Sequence, residues 1–186
     1  MQALKINHID TPRLTLREIT PKMYDILFQS YDDQDIKETL GLASDEELLV
    51  ERDRYLKGMT MHNRSFVLFL LIEKETRKLV GRCGYHTWYL QHNRAEMGYA
   101  MTDDVHKGKG LMTEAMAAVI TYGFHTMNLH RIEAFISPWN TPSLKLVQRI
   151  GFVKEGSLRQ HYFKNGTFED SDVYGLIKTD YHPTTI

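Results

Sequence analysis

The chain has 186 residues, 42% hydrophobic and 25% charged, with 23 lysines and arginines against 24 aspartates and glutamates and a formal net charge of −1. This is the balance of one compact domain, expected to span residues 1–186, and it gives no general pull toward nucleic-acid phosphates or anionic lipid, so neither is an expected partner. The single cysteine, Cys83, excludes an internal disulfide or a cysteine-based zinc cluster, and the opening MQALKINHIDTPRLTL has neither a signal-peptide core nor a membrane span, so the expected location is cytoplasmic.

In chain order, RLTLREI alternates Leu14 and Leu16 with Thr15 and Arg17, the period of a half-buried strand. Two early helices are expected next. PKMYDILFQSY opens on Pro21 with Met23, Ile26 and Leu27 at helical spacing, and SDEELLVERDRYLKGM carries Ser44 and Glu47 as a capping box. Residues 65–75 and 79–90 are rich in β-branched and aromatic side chains around a polar KETRK turn, which predicts an antiparallel hairpin. AEMGYAM, residues 95–101, is a further strand. After TDDVHKGKG, a heavily buried helix is expected to run to about Met127. RIEAFIS predicts a strand, NTPSLKLVQRIG a helix closed by Gly151, and KNGT a tight turn between two late strands. The sum is a mixed α/β sheet with helices on its faces.

The glycines of VHKGKGLMTEAM stand between a strand and a helix start. The first N–H groups of a helix lack partners and carry the positive end of the dipole, so a glycine-bearing loop there forms an anion site. A Walker loop is excluded, because Gly110 is followed by Leu111 rather than Lys-Ser/Thr, and a dinucleotide fingerprint lacks its third glycine. The pyrophosphate of coenzyme A and a plain close turn both remain.

Residues 107–112, KGKGLM, resemble the Q/R-x-x-G-x-G/A signature of the GNAT superfamily of acyl-CoA N-acyltransferases. The strings GKGLMTEAM, AEMGYAM, NLHRIEAFISPWNTPS and RIGFVKEGSLRQHYFKNGTFED resemble its ribosomal-protein alanine N-acetyltransferase branch, the RimJ/RimL type. Lysine stands for Gln/Arg at 107, methionine for Gly/Ala at 112, and the TDDVHK loop is one residue longer than usual.

The resemblance implies a mixed, mostly antiparallel, twisted sheet with helices on both faces, and transfer of acetyl from acetyl-CoA to an amine by direct attack, with no metal. By position, Ala100 and Met101 would offer backbone groups to pantetheine. Lys107, Gly108, Lys109, Gly110, Leu111 and Met112 would hold the pyrophosphate, and Asn140 would bond pantetheine, although an asparagine before a helix also serves as a plain cap. Glu96 matches a strand carboxylate that acts as base in several relatives; the plainer alternative is an exposed carboxylate paired with Arg94 or Arg82. The acid tyrosine of many relatives is Val147 here, which leaves Ser143 as the RimL-like hydroxyl for the departing thiolate, or else merely a first-turn residue. The RimL-like base glutamate is Tyr162 here, so Glu96, Tyr162 or water must substitute.

At pH 7 an α-amine of pKa about 7.8 is roughly 15% neutral, whereas a lysine is neutral in well under about 0.1% of molecules, so a weak base favours α-amines. Glu155, Glu169, Asp170 and Asp172 around the last hairpin form an acidic cluster, able to attract a cationic substrate or simply a solvated edge. The nine histidines include no H-E-x-x-H pattern, and Cys83, inside a strand, reads as core rather than nucleophile. The expected acceptor is a protein N-terminal α-amine. A small amine (polyamine, amino acid or aminoglycoside) and a non-catalytic acyl-CoA sensor are the alternatives, with the chain a monomer or homodimer.

Overall fold

Residues 6–58 and 64–182 are described by the computed structural model. Among them, eight strands form one sheet in the order β1-β2-β3-β4-β5-β6-β8-β7. They are β1 (His8–Asp10), β2 (Leu14–Ile19), β3 (Arg64–Glu73), β4 (Leu79–Tyr89), β5 (Arg94–Met101), β6 (Arg131–Ile136), β7 (Val153–Lys164) and β8 (Thr167–Ile177). The helices are α1 (Pro21–Ser30), α2 (Asp33–Leu40), α3 (Asp45–Leu56), α4 (Leu111–His125) and α5 (Thr141–Ile150). Every neighbouring strand pair is antiparallel except β5 and β6.

Period-two alternation in the strands feeds two cores, one on each face. Leu14, Leu16, Phe69 and Leu71 pack with Ala115, Met116, Val119 and Ile120 of α4 and with Val147 of α5. On the other face, Phe66 and Leu70 meet Met23, Leu27, Ile36, Leu40 and Leu48 from α1, α2 and α3. This is the mixed sheet with helices on both faces that the sequence predicts.

Two elements depart from the expectation. Strand β1 is a three-residue addition to the edge of β2, too short to carry a pattern. Helix α2, DQDIKETL, has only Ile36 and Leu40 to bury, but its ends are marked: Asp32 accepts from the Asp35 N–H at 2.9 Å and Gly41 closes it at φ 67°. Helix α3 ends at Leu56; Met59, to which the sequence pattern extended it, lies outside the described residues. The last hairpin turns on Asn165 and Gly166, both at positive φ as a type I′ turn requires.

What positions the site is the parting of β5 from β6. Their parallel pairing covers only Arg94↔Arg131, Ala95↔Ile132 and Glu96↔Glu133, yet β5 continues to Met101 and β6 to Ile136. The two strands therefore open a wedge at their carboxyl ends, the place where open α/β sheets take ligands. Helix α4 follows β5 and α5 follows β6, so two helix N-termini border the opening. Among the described residues no helix is long and apolar enough to cross a membrane.

Candidate active site

The loop after β5 forms a short 3-10 turn at Asp104–His106, capped by Asp103, and then runs through residues 107–110 into α4. Gly108 and Gly110 both adopt left-handed φ, 73° and 77°, which explains glycine at these two positions. Gly110 is the N-cap of α4 and has no side chain to satisfy the first-turn donors; the first helical bond runs from the Glu114 N–H to the Gly110 carbonyl. The N–H groups of Leu111, Met112 and Thr113 thus remain available at an exposed helix start, which is what an anion cradle needs. Lys107 and Lys109 are exposed; the Lys107 ammonium rests on Asp104.

The cradle is held from below by a buried carboxylate. Glu114 accepts from the Thr11 hydroxyl at 2.6 Å and from the Arg13 backbone N–H and Nε at 2.7 Å each, while Arg13 Nη1 donates to the Lys109 carbonyl at 2.8 Å. Burial pushes the Glu114 carboxyl up, but these hydrogen bonds outweigh it and hold the group below its ordinary range.

Only alternate residues of β5 offer backbone groups to the wedge. The Thr102 N–H donates to the Val80 carbonyl, and the Ala100 carbonyl lies against Gly81, so Thr102, Ala100 and Gly98 turn their backbones toward β4. Tyr99 and Met101 face the open side. Of the two residues expected to offer backbone groups there, Met101 is so oriented and Ala100 is turned to β4.

A cavity of about 200 Å³ occupies the wedge. Glu96, His86 and Tyr162 form one side of its lining, and Tyr99, Asn140 and Ser143 the other. Glu96 is no exposed strand carboxylate: its side chain is 13% accessible, Oε1 lies 3.4 Å from His86 Nε2, and the Tyr162 hydroxyl donates to it at 3.4 Å. Arg94 pairs with Glu133 and covers the Tyr89 ring, and Arg82 reaches toward Glu51, so neither is its partner. Burial raises the Glu96 pKa, with His86 pulling down and the neighbouring Glu133 charge pushing up.

Two neighbours of this carboxylate, His86 and His161, carry no local sequence signal. His86 packs over Gly98, where a Cβ would approach the ring to 2.5 Å. His161 and Tyr162 reach the site through a bulge. The β7–β8 register shifts between Leu158 and Tyr162, Gln160 takes φ 51°, and its N–H donates to Asp170. His161 lies near enough to Glu96 to favour its ionised form electrostatically.

Across the cavity, Asn140 caps α5, its Oδ1 accepting from the Ser143 N–H at 3.3 Å. The capping reading of Asn140 is thus realised in the structure, and the residue also lines the cavity. Val147, which replaces the tyrosine of many relatives, is fully buried in the core. The acidic hairpin cluster is largely engaged. Glu155 makes a two-pronged pair with Arg131 at 2.7 and 2.6 Å, Asp172 pairs with Lys154 and Ser157, and Asp170 accepts from Gln160.

The acetyltransferase (GNAT) domain family matches residues 13–153. The chain is 34% identical to the uncharacterized N-acetyltransferase p20 of Bacillus licheniformis over 92% of this chain and 96% of that one. It is 32% identical to the [ribosomal protein uS5]-alanine N-acetyltransferase of Escherichia coli over 62% of this chain and 59% of that one. The solved structure of the spermidine/spermine N-acetyltransferase SpeG from Vibrio cholerae shares the fold with a TM-score of 0.68 at 21% identity, covering 92% of this chain and 97% of that one. A family match across most of the chain, with a relative aligned along nearly its full length, leads to one conclusion: the chain belongs to the GNAT family and is an acetyl-CoA-dependent N-acetyltransferase.

Proposed function

We propose that this enzyme acetylates the N-terminal α-amine of a protein, of the ribosomal-protein type, by direct attack of the amine on the acetyl-CoA thioester in the wedge between β5 and β6. The observation that carries the reading is Glu96, a sheltered carboxylate with a raised pKa where the parallel pairing ends, in contact with His86 and Tyr162. A raised carboxylate accepts a proton from an attacking amine better than an ordinary one does. It is still a weak base, which suits an acceptor already partly neutral at pH 7, an α-amine rather than a lysine.

The acidic hairpin supports a protein terminus over a polycation, because Glu155 and Asp172 are already ion-paired and supply little unopposed charge. The similarity to an enzyme named for alanine of ribosomal protein uS5 points the same way.

In this mechanism the neutral amine forms the C–N bond, its surplus proton passes to Glu96, and the electron pair of the breaking C–S bond stays on sulfur. The Ser143 hydroxyl, at the start of α5, stabilises that charge together with the helix field. The uncapped start of α4 takes the pyrophosphate.

An acceptor panel tests the assignment by release of free coenzyme A thiol. Peptides with a free N-terminal alanine or serine should turn over well above the same peptides blocked at the α-amine, and above spermidine and free amino acids. Preference for spermidine or another small amine would overturn it.

A further inference from the structure

Among the described residues that line the cavity, Tyr99 is partly buried and its hydroxyl oxygen is itself shut off from solvent. Its hydroxyl completes no hydrogen bond of full geometry; its polar neighbour is the Ser143 hydroxyl, and the residue lines the cavity beside Ser143 and Asn140. A buried O–H left without a full hydrogen bond destabilises a fold, and one that lines a cavity is placed to pair with a ligand bound there. Tyr99 comes from the stretch of β5 that has separated from β6, and its ring packs on the α4 side of the sheet, opposite Glu96.

We infer that Tyr99 is a further catalytic residue, whose phenolic O–H donates a hydrogen bond to the thioester sulfur as the C–S bond breaks. The inference rests on the reading of the wedge as the acyl-transfer site. The electron pair of the breaking bond becomes a lone pair on sulfur, giving the coenzyme A thiolate. Tyr99 and Ser143 hold that charge as donors without giving up their protons, the amine proton goes to Glu96, and the thiolate later takes its proton from water. Burial raises the Tyr99 pKa, against the opposing influence of the Ser143 hydroxyl, so the phenol remains a donor across the neutral range.

Tyr99→Phe keeps the ring and removes only the O–H. Turnover should fall roughly ten- to a thousand-fold, as for the loss of one oxyanion-type donor, with the Kd for acetyl-CoA within about threefold of the parent. The melting temperature of the free enzyme should be unchanged or higher, because a buried hydroxyl without a full hydrogen bond destabilises the free fold. The double variant Tyr99→Phe/Ser143→Ala should lose less than the product of the single losses if both hydroxyls serve one sulfur. Rates are measured with whichever amine the acceptor panel finds fastest, so a wrong acceptor class appears in the panel and not in this comparison. Turnover within twofold of the parent overturns the inference. So does a loss of acetyl-CoA affinity equal to the loss of turnover, or a lowered melting temperature.

Discussion

Alanine at Gly110 separates a backbone requirement from a steric one. A Cβ at this position would meet only Arg13 Nη2, at 3.5 Å, an ordinary contact, so crowding by the protein contributes little. The cost is conformational, since φ is +77° and an L-residue in the left-handed region costs roughly 1–2 kcal/mol. Residues 107–110 are exposed, so in the free variant the loop can rotate out of the strained region. On the proposed assignment of the α4 start to the pyrophosphate, the loop must return when the ligand binds, and the cost then falls on binding. A penalty of 1–2 kcal/mol corresponds to a Kd for acetyl-CoA weaker by roughly 5- to 30-fold. Gly166→Ala is the matched control, with φ +81° and open space around its Cβ, but in the distant β7–β8 turn. Calorimetric titration of both folded variants provides the assay. Parent-like affinity in Gly110→Ala, or an equal loss in Gly166→Ala, would refute the reasoning.

Glu96→Gln should lower turnover most near neutral pH and recover as the amine deprotonates unaided. The acid limb of the parent's pH–rate profile should lie above the ordinary carboxylate range near about 4.3, because burial raises the Glu96 pKa and the base works only when ionised. Ser143→Ala should reduce turnover roughly ten- to a thousand-fold with acetyl-CoA affinity nearly unchanged, measured by steady-state rates alongside titration. Tyr162→Phe removes a hydrogen bond that favours ionised Glu96, so its acid limb should move to higher pH. Glu114→Ala leaves the Arg13 N–H without its acceptor, while the Thr11 hydroxyl keeps the Leu14 carbonyl, and should cost about 1–3 kcal/mol in urea unfolding. The Glu114 pKa is depressed, so this stabilisation is present above the ordinary carboxylate range, and the difference between parent and variant should shrink as pH falls through the depressed value.

Strands β2 to β6 and helices α1, α4 and α5 were legible because each carries several apolar residues in one period: Leu14 and Leu16 at two, Leu111, Ala115 and Val119 near 3.6. Helix α2 was not, since Ile36 and Leu40 alone make no pattern and only the Asp32 and Gly41 caps betray it. In the site, the glycine loop, Asn140 and Glu96 could be read by position along the chain. The surroundings of Glu96 could not. His86 arrives through the β4–β5 register, irregular between Tyr85 and Thr87, and His161 through the Gln160 bulge; pairings across strands leave no trace in local spacing. Tyr99 was within reach, because strand alternation sets it on the face opposite Glu96 and turns its backbone, rather than that of Ala100, to the wedge.

The central claim concerns which nitrogen receives the acetyl group, and fragment-ion mass spectrometry of one acetylated peptide tests it directly. The peptide carries a free N-terminal alanine and an internal lysine, and is incubated with the enzyme and acetyl-CoA at pH 7. The account predicts the added acetyl on the α-amine, with the lysine unmodified and the signal lost in Glu96→Gln; acetyl on the lysine, or equal labelling of both amines, would contradict it.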